Sequence, residues 1–257
     1  MKQVAAALLA VAVMTIAASV AAPAAATSAD PVAALKSRIS AGKGVAATDT
    51  TYFVELAGRT KISTRQVTLQ YGKAGFAASD VSYKVVKQDQ VDALLENERI
   101  ITIGKVSYRK GGIFASDLPK GKTWAKTARP MPTGLSGMSS QPVNAAEPET
   151  LKALISSGKR SGRTYTGTIA INRLWKVSPW ARSSFVDKKD DELITYKLTL
   201  GSNNLPVRLV TTMPAEGHLL GRNIPGDEVT HETVYRGWGG KYSIKAPPAS
   251  QVYSGKK

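Results

Sequence analysis

The tripeptide Gly121-Lys122-Thr123, inside LPKGKTWAK at 118–126, matches the ending of a phosphate-cradling loop. Such a loop needs a glycine five residues before its second glycine, followed by a helix whose N-terminus faces the phosphates. Ser116 holds that glycine position, and Pro130 and Pro132 follow too soon for a helix. The stretch therefore reads as a turn leading into a strand. Metal chemistry has little to work with, because His218 and His231 are the only histidines and the chain has no cysteine. They lack zinc-helix spacing, and His231 falls on the apolar beat of a strand, where a hydrogen-bonded structural role is the simpler reading. No metal and no other cofactor is expected.

Acyl-transfer motifs fail too. GLSGM at 134–138 lacks the last glycine of a nucleophile elbow, and Ser-x-x-Lys at Ser40, Ser156 and Ser254 comes without its companion motifs. Asp190, Asp191 and Glu192 in KKDDE read as a solvated hairpin loop rather than a glycosidase pair. GWGGKY at 237–242 is not a dinucleotide fingerprint, since Tyr242 takes the last glycine's place. Nothing assembles a nucleophile, a base and an oxyanion hole. The chemistry points to binding without turnover, with no catalytic residue and no enzyme activity expected.

The elements that must carry such binding are mostly strands. Val32, Leu35 and Ile39 have helical spacing in PVAALKSRISAG, which stops at Gly42. AEPETLKALISSG is a second helix, with Pro148 near its start and Gly158 as its stop. Elsewhere the period is two. Tyr52 and Val54 alternate with Phe53 and Glu55, Val67 and Leu69 with Gln66 and Thr68, and Tyr108 with Ser107 and Arg109. The same beat marks Tyr83, Ile169, Tyr196 with Leu198, Leu209, and Tyr235. This is an antiparallel sheet with one apolar and one polar, often basic, face, and the fold class is α+β or all-β. Residues 128–146, with their prolines, glycines and methionines, have no period and read as a long flexible loop. Residues 171–185 place Trp175 and Trp180 around Pro179 in an irregular segment, as a plug for the core or an amphipathic anchor.

An apolar run from Val4 to about Ala22, followed by Ala24-x-Ala26, predicts a secretory signal peptide within residues 1–29, cleaved after Ala26 or Ala29. Residues 30–257 then form one domain. No later segment is apolar for long enough to span a bilayer as a helix. The formal charge is +16, which suits anionic envelope surfaces or polymers. Nucleic acid is not expected, given the export signal and the lack of a binding module. The expected location is extracellular or at the cell wall.

Four phrases, RIITIGKVSYRKGGIFASDLPKGKTWAK, QPVNAAEPETLKALISSG, NNLPVRLVTT and YRGWGGKYSIKAPPASQV, resemble in order and spacing the LolA/LppX-like envelope lipoproteins of Gram-positive bacteria with GC-rich genomes. The resemblance covers roughly residues 30–253. It implies a curved, mostly antiparallel sheet, a half-open β-barrel, wrapped around a few helices with an apolar cavity between. Relatives carry lipids or lipoproteins between membranes. The chain departs from them in lacking the cysteine that is acylated in most members, which implies an unanchored product.

Two functions follow from these readings. One is a carrier or chaperone of a lipid or other hydrophobic ligand. Its cavity would be faced by Tyr52, Val54, Val67, Leu69, Tyr83, Tyr108, Ile169, Tyr196, Leu198, Leu209 and Tyr235, with Met131, Leu135 and Met138 in a movable mouth loop. The other is a basic interaction protein with a filled core that docks to anionic polymers or a membrane surface. A continuous void of about 300 Å³ or more favours the carrier.

Overall fold

The computed structural model describes residues 30–56, 58–73, 75–86, 96–112, 118–184, 188–215 and 228–255. The signal-peptide region and His218 lie outside the described residues. Among the described residues no helix is long and apolar enough to cross a membrane.

Among the described residues, strand alternation builds a 12-stranded sheet. The first half contains β1 (Lys43–Glu55), β2 (Gly58–Gly72), β3 (Gly75–Val85), β4 (Glu98–Ile103), β5 (Val106–Gly111) and β6 (Trp124–Thr127). The second contains β7 (Lys159–Ser161), β8 (Thr164–Ala170), β9 (Leu193–Leu200), β10 (Pro206–Pro214), β11 (Glu228–Lys241) and β12 (Val252–Tyr253). The order is β12-β6-β5-β4-β3-β2-β1-β11-β10-β9-β8-β7, and β12 and β7 do not meet. Every pairing is antiparallel except β12 with β6. This is the open, curved sheet that the resemblance implies.

Four α-helices stand among the described residues: α1 (Pro31–Lys36), α2 (Pro148–Ser157), α3 (Ile171–Val177) and α4 (Pro179–Ser183). Asp30 caps α1 through the Val32 N–H at 2.9 Å. The segment around Trp175 and Trp180 is thus helical, not irregular. Pro179 at the first turn of α4 and the Ser178 side chain, which accepts from the Ala181 N–H, start a second helix where the first ends. Trp180 is buried in the core as a plug. The apolar inner residues of β8 to β10, including Ile169, Leu198 and Leu209, join Leu151, Leu154 and Leu174 of α2 and α3 in one core cluster.

Elsewhere the inner face mixes apolar residues such as Val67 and Val81 with buried polar ones such as Arg65, Glu98 and Ser107, and the polar ones decide where residues 128–146 go. They are not a flexible surface loop: the backbone from Ser139 to Glu147 is buried throughout. It crosses the sheet as a strap, tied down by side chains of successive strands. Ser107 of β5 accepts from the Met131 N–H at 2.8 Å, and Glu98 of β4 from the Ser136 N–H at 2.6 Å. Tyr83 of β3 meets Ser139 Oγ at 3.1 Å, and Arg65 of β2 donates to the Gln141 carbonyl at 3.2 Å. On β10 Thr211 donates to Gln141 Oε1 at 2.9 Å, and Tyr235 of β11 accepts from the Ala145 N–H at 3.0 Å. A buried backbone without a ladder needs such partners.

Gly134 shows how closely the strap fits. Its φ is +66°, and a Cβ there would collide with Ile100 Cδ1 and Glu98 Oε1. Gly134→Ala should therefore cost about 2–4 kcal/mol, from left-handed backbone strain and overpacking together, as read by chemical denaturation.

LPKGKTWAK is indeed a turn into a strand. Gly121 has φ +81°, and Trp124 opens β6, buried beside the cations Arg99 and Lys110. Lys122 Nζ donates to the Ser250 carbonyl at 2.8 Å, tying the turn to the C-terminal segment.

Candidate functional site: an apolar cavity beside the strap

Where α3 and α4 stop short of the β2 to β4 end of the sheet, a cavity of about 430 Å³ remains open. Three surfaces bound it. The sheet supplies Leu69, Tyr71 and Phe76; the strap supplies Pro130, Pro132 and Ala146; the helices supply Val177, Pro179 and Trp180. Ile39, just past α1, closes one side. Local sequence explains the shape. The Tyr71 and Phe76 rings stack at 5.2 Å across the β2–β3 hairpin. The prolines of the strap and of α4 hold chain with no N–H to satisfy, so it can border an apolar space without orphaning a donor.

The polar groups at the wall are mostly engaged. Tyr71 OH donates to the Ala146 carbonyl at 3.0 Å, and Trp180 Nε1 to the Gln141 carbonyl at 3.1 Å. Burial and the nearby Glu147 carboxylate push the Tyr71 phenol far above its ordinary range, so it stays protonated. Glu147 is buried at the floor. Its carboxylate accepts from the Thr150 hydroxyl and the Trp180 N–H, both at 2.9 Å, and from the Ser178 hydroxyl. Desolvation nonetheless raises its pKa above 4.5, because its hydrogen bonds and the more distant Arg182 offset only part of that cost.

The sign of the pH effect follows. With the folded pKa above the unfolded value, the folded state binds the proton more tightly, so the penalty of the buried charge is complete above the folded pKa and is relieved as pH falls through it. Glu147→Gln has no such penalty to lose. The stability of wild type relative to Glu147→Gln should therefore rise as pH is lowered from neutrality through the folded pKa of Glu147 toward its unfolded value, as measured by urea midpoints. A difference that is flat with pH, or that moves the other way, would contradict a buried, ionised Glu147.

Of the residues expected to face a cavity, Leu69 lines this one. Val67, Ile169, Tyr196, Leu198 and Leu209 lie in the packed core. Tyr83 and Tyr235 hold the strap, and Tyr196 OH donates to the Leu154 carbonyl of α2. Met131, Leu135 and Met138 are half-buried along the strap, not at a movable mouth.

Tyr52, Val54 and Tyr108 point to the outer face. On β1 the inward set is Val45, Ala47, Asp49, Thr51 and Phe53, as the burial pattern shows. Two polar members hid that parity, and Tyr52 instead lies under the Arg59 guanidinium, 3.4 Å from the ring centroid. On β5 the inward residue Ser107 is polar because it binds the strap, so Tyr108 takes the other face beside Ile101.

Sequence reading missed Tyr71, Phe76, Trp180, Val177 and Glu147. Pro179-Trp180 was the one usable signal, since a buried tryptophan beside a helix-starting proline marks a packed helix end. His231 is buried on the inner face with Nδ1 3.1 Å from Thr51 Oγ1. Ser136, in the GLSGM stretch, has its hydroxyl on the Thr133 carbonyl at 3.0 Å. Among the described residues no group of acidic or histidine side chains is placed to hold a metal.

No family model matches the chain, and no curated protein sequence matches it. Among solved structures it is similar to LprF from Mycobacterium bovis, at 13% identity and a TM-score of 0.44, over 84% of this chain and 96% of that one. It is also similar to a LolA superfamily protein from Nitrosomonas europaea, at 9% identity and a TM-score of 0.31, over 80% of this chain and 90% of the other.

Proposed function

We propose that the protein is an exported, non-enzymatic binding protein that holds a lipid or other hydrophobic ligand in the cavity beside the strap. The cavity itself carries this reading. At about 430 Å³ and lined chiefly by Leu, Ile, Phe, Val, Pro and Trp side chains, it is the size and character of small-molecule sites. An acyl chain entering it gains about 0.8 kcal/mol per buried CH₂ and needs no reactive group. The wall groups with chemistry, Tyr71 and Glu147, are committed to internal hydrogen bonds. The apolar run at 4–22 and Ala24-x-Ala26 support delivery to the cell envelope, with cleavage after Ala26 or Ala29.

Native mass spectrometry and organic extraction of the secreted protein test the reading. A lipid that copurifies, or saturable binding of a fluorescent fatty acid at one site per chain, is expected. A protein that neither yields lipid nor takes up the fatty acid would refute it. N-terminal sequencing of the same sample tests the cleavage site.

A further inference from the structure

The rim of the cavity carries charge that the fold does not neutralise. Lys73 stands in the β2–β3 turn and Lys105 in the β4–β5 turn, both exposed. Gly75, at the start of β3 beside Lys73, and Gly104 of the β4–β5 turn line the cavity. At the same end of the sheet, β1 begins and β11 ends with Lys43 directly opposite Lys241. Like charges facing each other across a ladder are destabilising. The ion pairs made by Arg59, Arg65, Arg99 and Arg208 involve none of these lysines. Glu149 is the acidic residue exposed at the mouth.

We propose that this end of the sheet docks on the anionic face of a lipid bilayer, with the cavity mouth set against the headgroups. The proposal builds on the lipid-binding reading of the cavity. A ligand insoluble in water has to reach the cavity from a bilayer, and the opening lies between turns whose lysines would meet the headgroups first. Lys43 and Lys241, opposite each other on β1 and β11, add two positive charges at the same end of the sheet, which an anionic surface attracts. Soluble anionic polymers could also meet these lysines, but they would not account for an apolar opening among them.

The test is cosedimentation of the full secreted chain with vesicles of phosphatidylglycerol and phosphatidylcholine in equal parts, against pure phosphatidylcholine, at low and high salt. Wild type should bind the anionic vesicles only, and salt should weaken binding. The rim triple variant Lys73→Gln, Lys105→Gln, Lys241→Gln should bind roughly 100-fold more weakly, at about fivefold per lysine near an anionic surface. The control triple Lys84→Gln, Lys126→Gln, Lys197→Gln removes the same charge from exposed positions on the outer face and should bind nearly as wild type.

Equal losses in the two triples would overturn the proposal, since net charge alone would then account for binding. So would a wild type that ignores anionic vesicles, or one that binds soluble polyphosphate but not vesicles. Fluorescent fatty acid titration separates the two readings. Uptake without vesicle docking leaves the carrier standing and the docking surface refuted; rim-dependent docking without uptake does the reverse.

Discussion

Replacing Asp49 with alanine should cost about 3–5 kcal/mol of stability, the range for removing one partner of a buried ion pair. Asp49 and Arg65 face each other across β1 and β2, with side chains 4% and 1% exposed and Arg65 Nη2 2.7 Å from Asp49 Oδ2. The guanidinium also reaches the Gln141 carbonyl and lies 5.2 Å from the Trp180 ring centroid. Without Asp49 it would remain buried as an uncompensated cation under the strap. The strap should then loosen, raising hydrogen exchange at residues 139–146. Replacing both partners, as Asp49→Leu with Arg65→Met, should recover most of the loss, because a well-packed apolar pair carries no desolvation penalty. Urea denaturation of the single and double variants reads both effects. A single variant within about 1 kcal/mol of wild type would show that the pair does not anchor the strap.

Filling the cavity should have the largest effect on binding. Val177 ends α3, is half-buried and lines the cavity, so a tryptophan there can lay its ring into the open space without displacing core side chains. An indole in that space excludes about four methylene groups at about 0.8 kcal/mol each, so affinity for a fluorescent fatty acid should fall about 200-fold. Stability should stay within about 1 kcal/mol of wild type, since overpacking costs arise where space is already filled. Leu69→Trp offers the contrast. Leu69 is 1% exposed and belongs both to the core and to the cavity wall, so that variant should lose stability and binding together. Unchanged affinity in Val177→Trp would place the ligand elsewhere.

By itself, the sequence determined the class of fold and the limits of α2, but not where α1 ends, at Lys36 rather than Gly42, nor that 171–183 forms α3 and α4. Period-two alternation is a local property of each strand, and Pro148 with Gly158 fixed the limits of α2 through backbone geometry alone. It also limited the chemistry, because a chain without cysteine and with His218 and His231 as its only histidines has few ways to build a reactive centre. Only the tertiary structure decided which face of each strand turned inward. Alternation states that Tyr52 and Val54 share a face, but the inward parity of β1 was set by Asp49 meeting Arg65 and by Phe53 packing with Ile62 and Val229. Tertiary contacts also decided the fate of residues 128–146. Their Ser, Gln, Pro and Gly content suits a solvated loop as well as it suits a buried strap, and the difference lies in polar partners on strands far away in sequence. The cavity is a further step removed. It is the space left where the helices end short of the sheet, a property of how pieces are spaced and of no residue's own type.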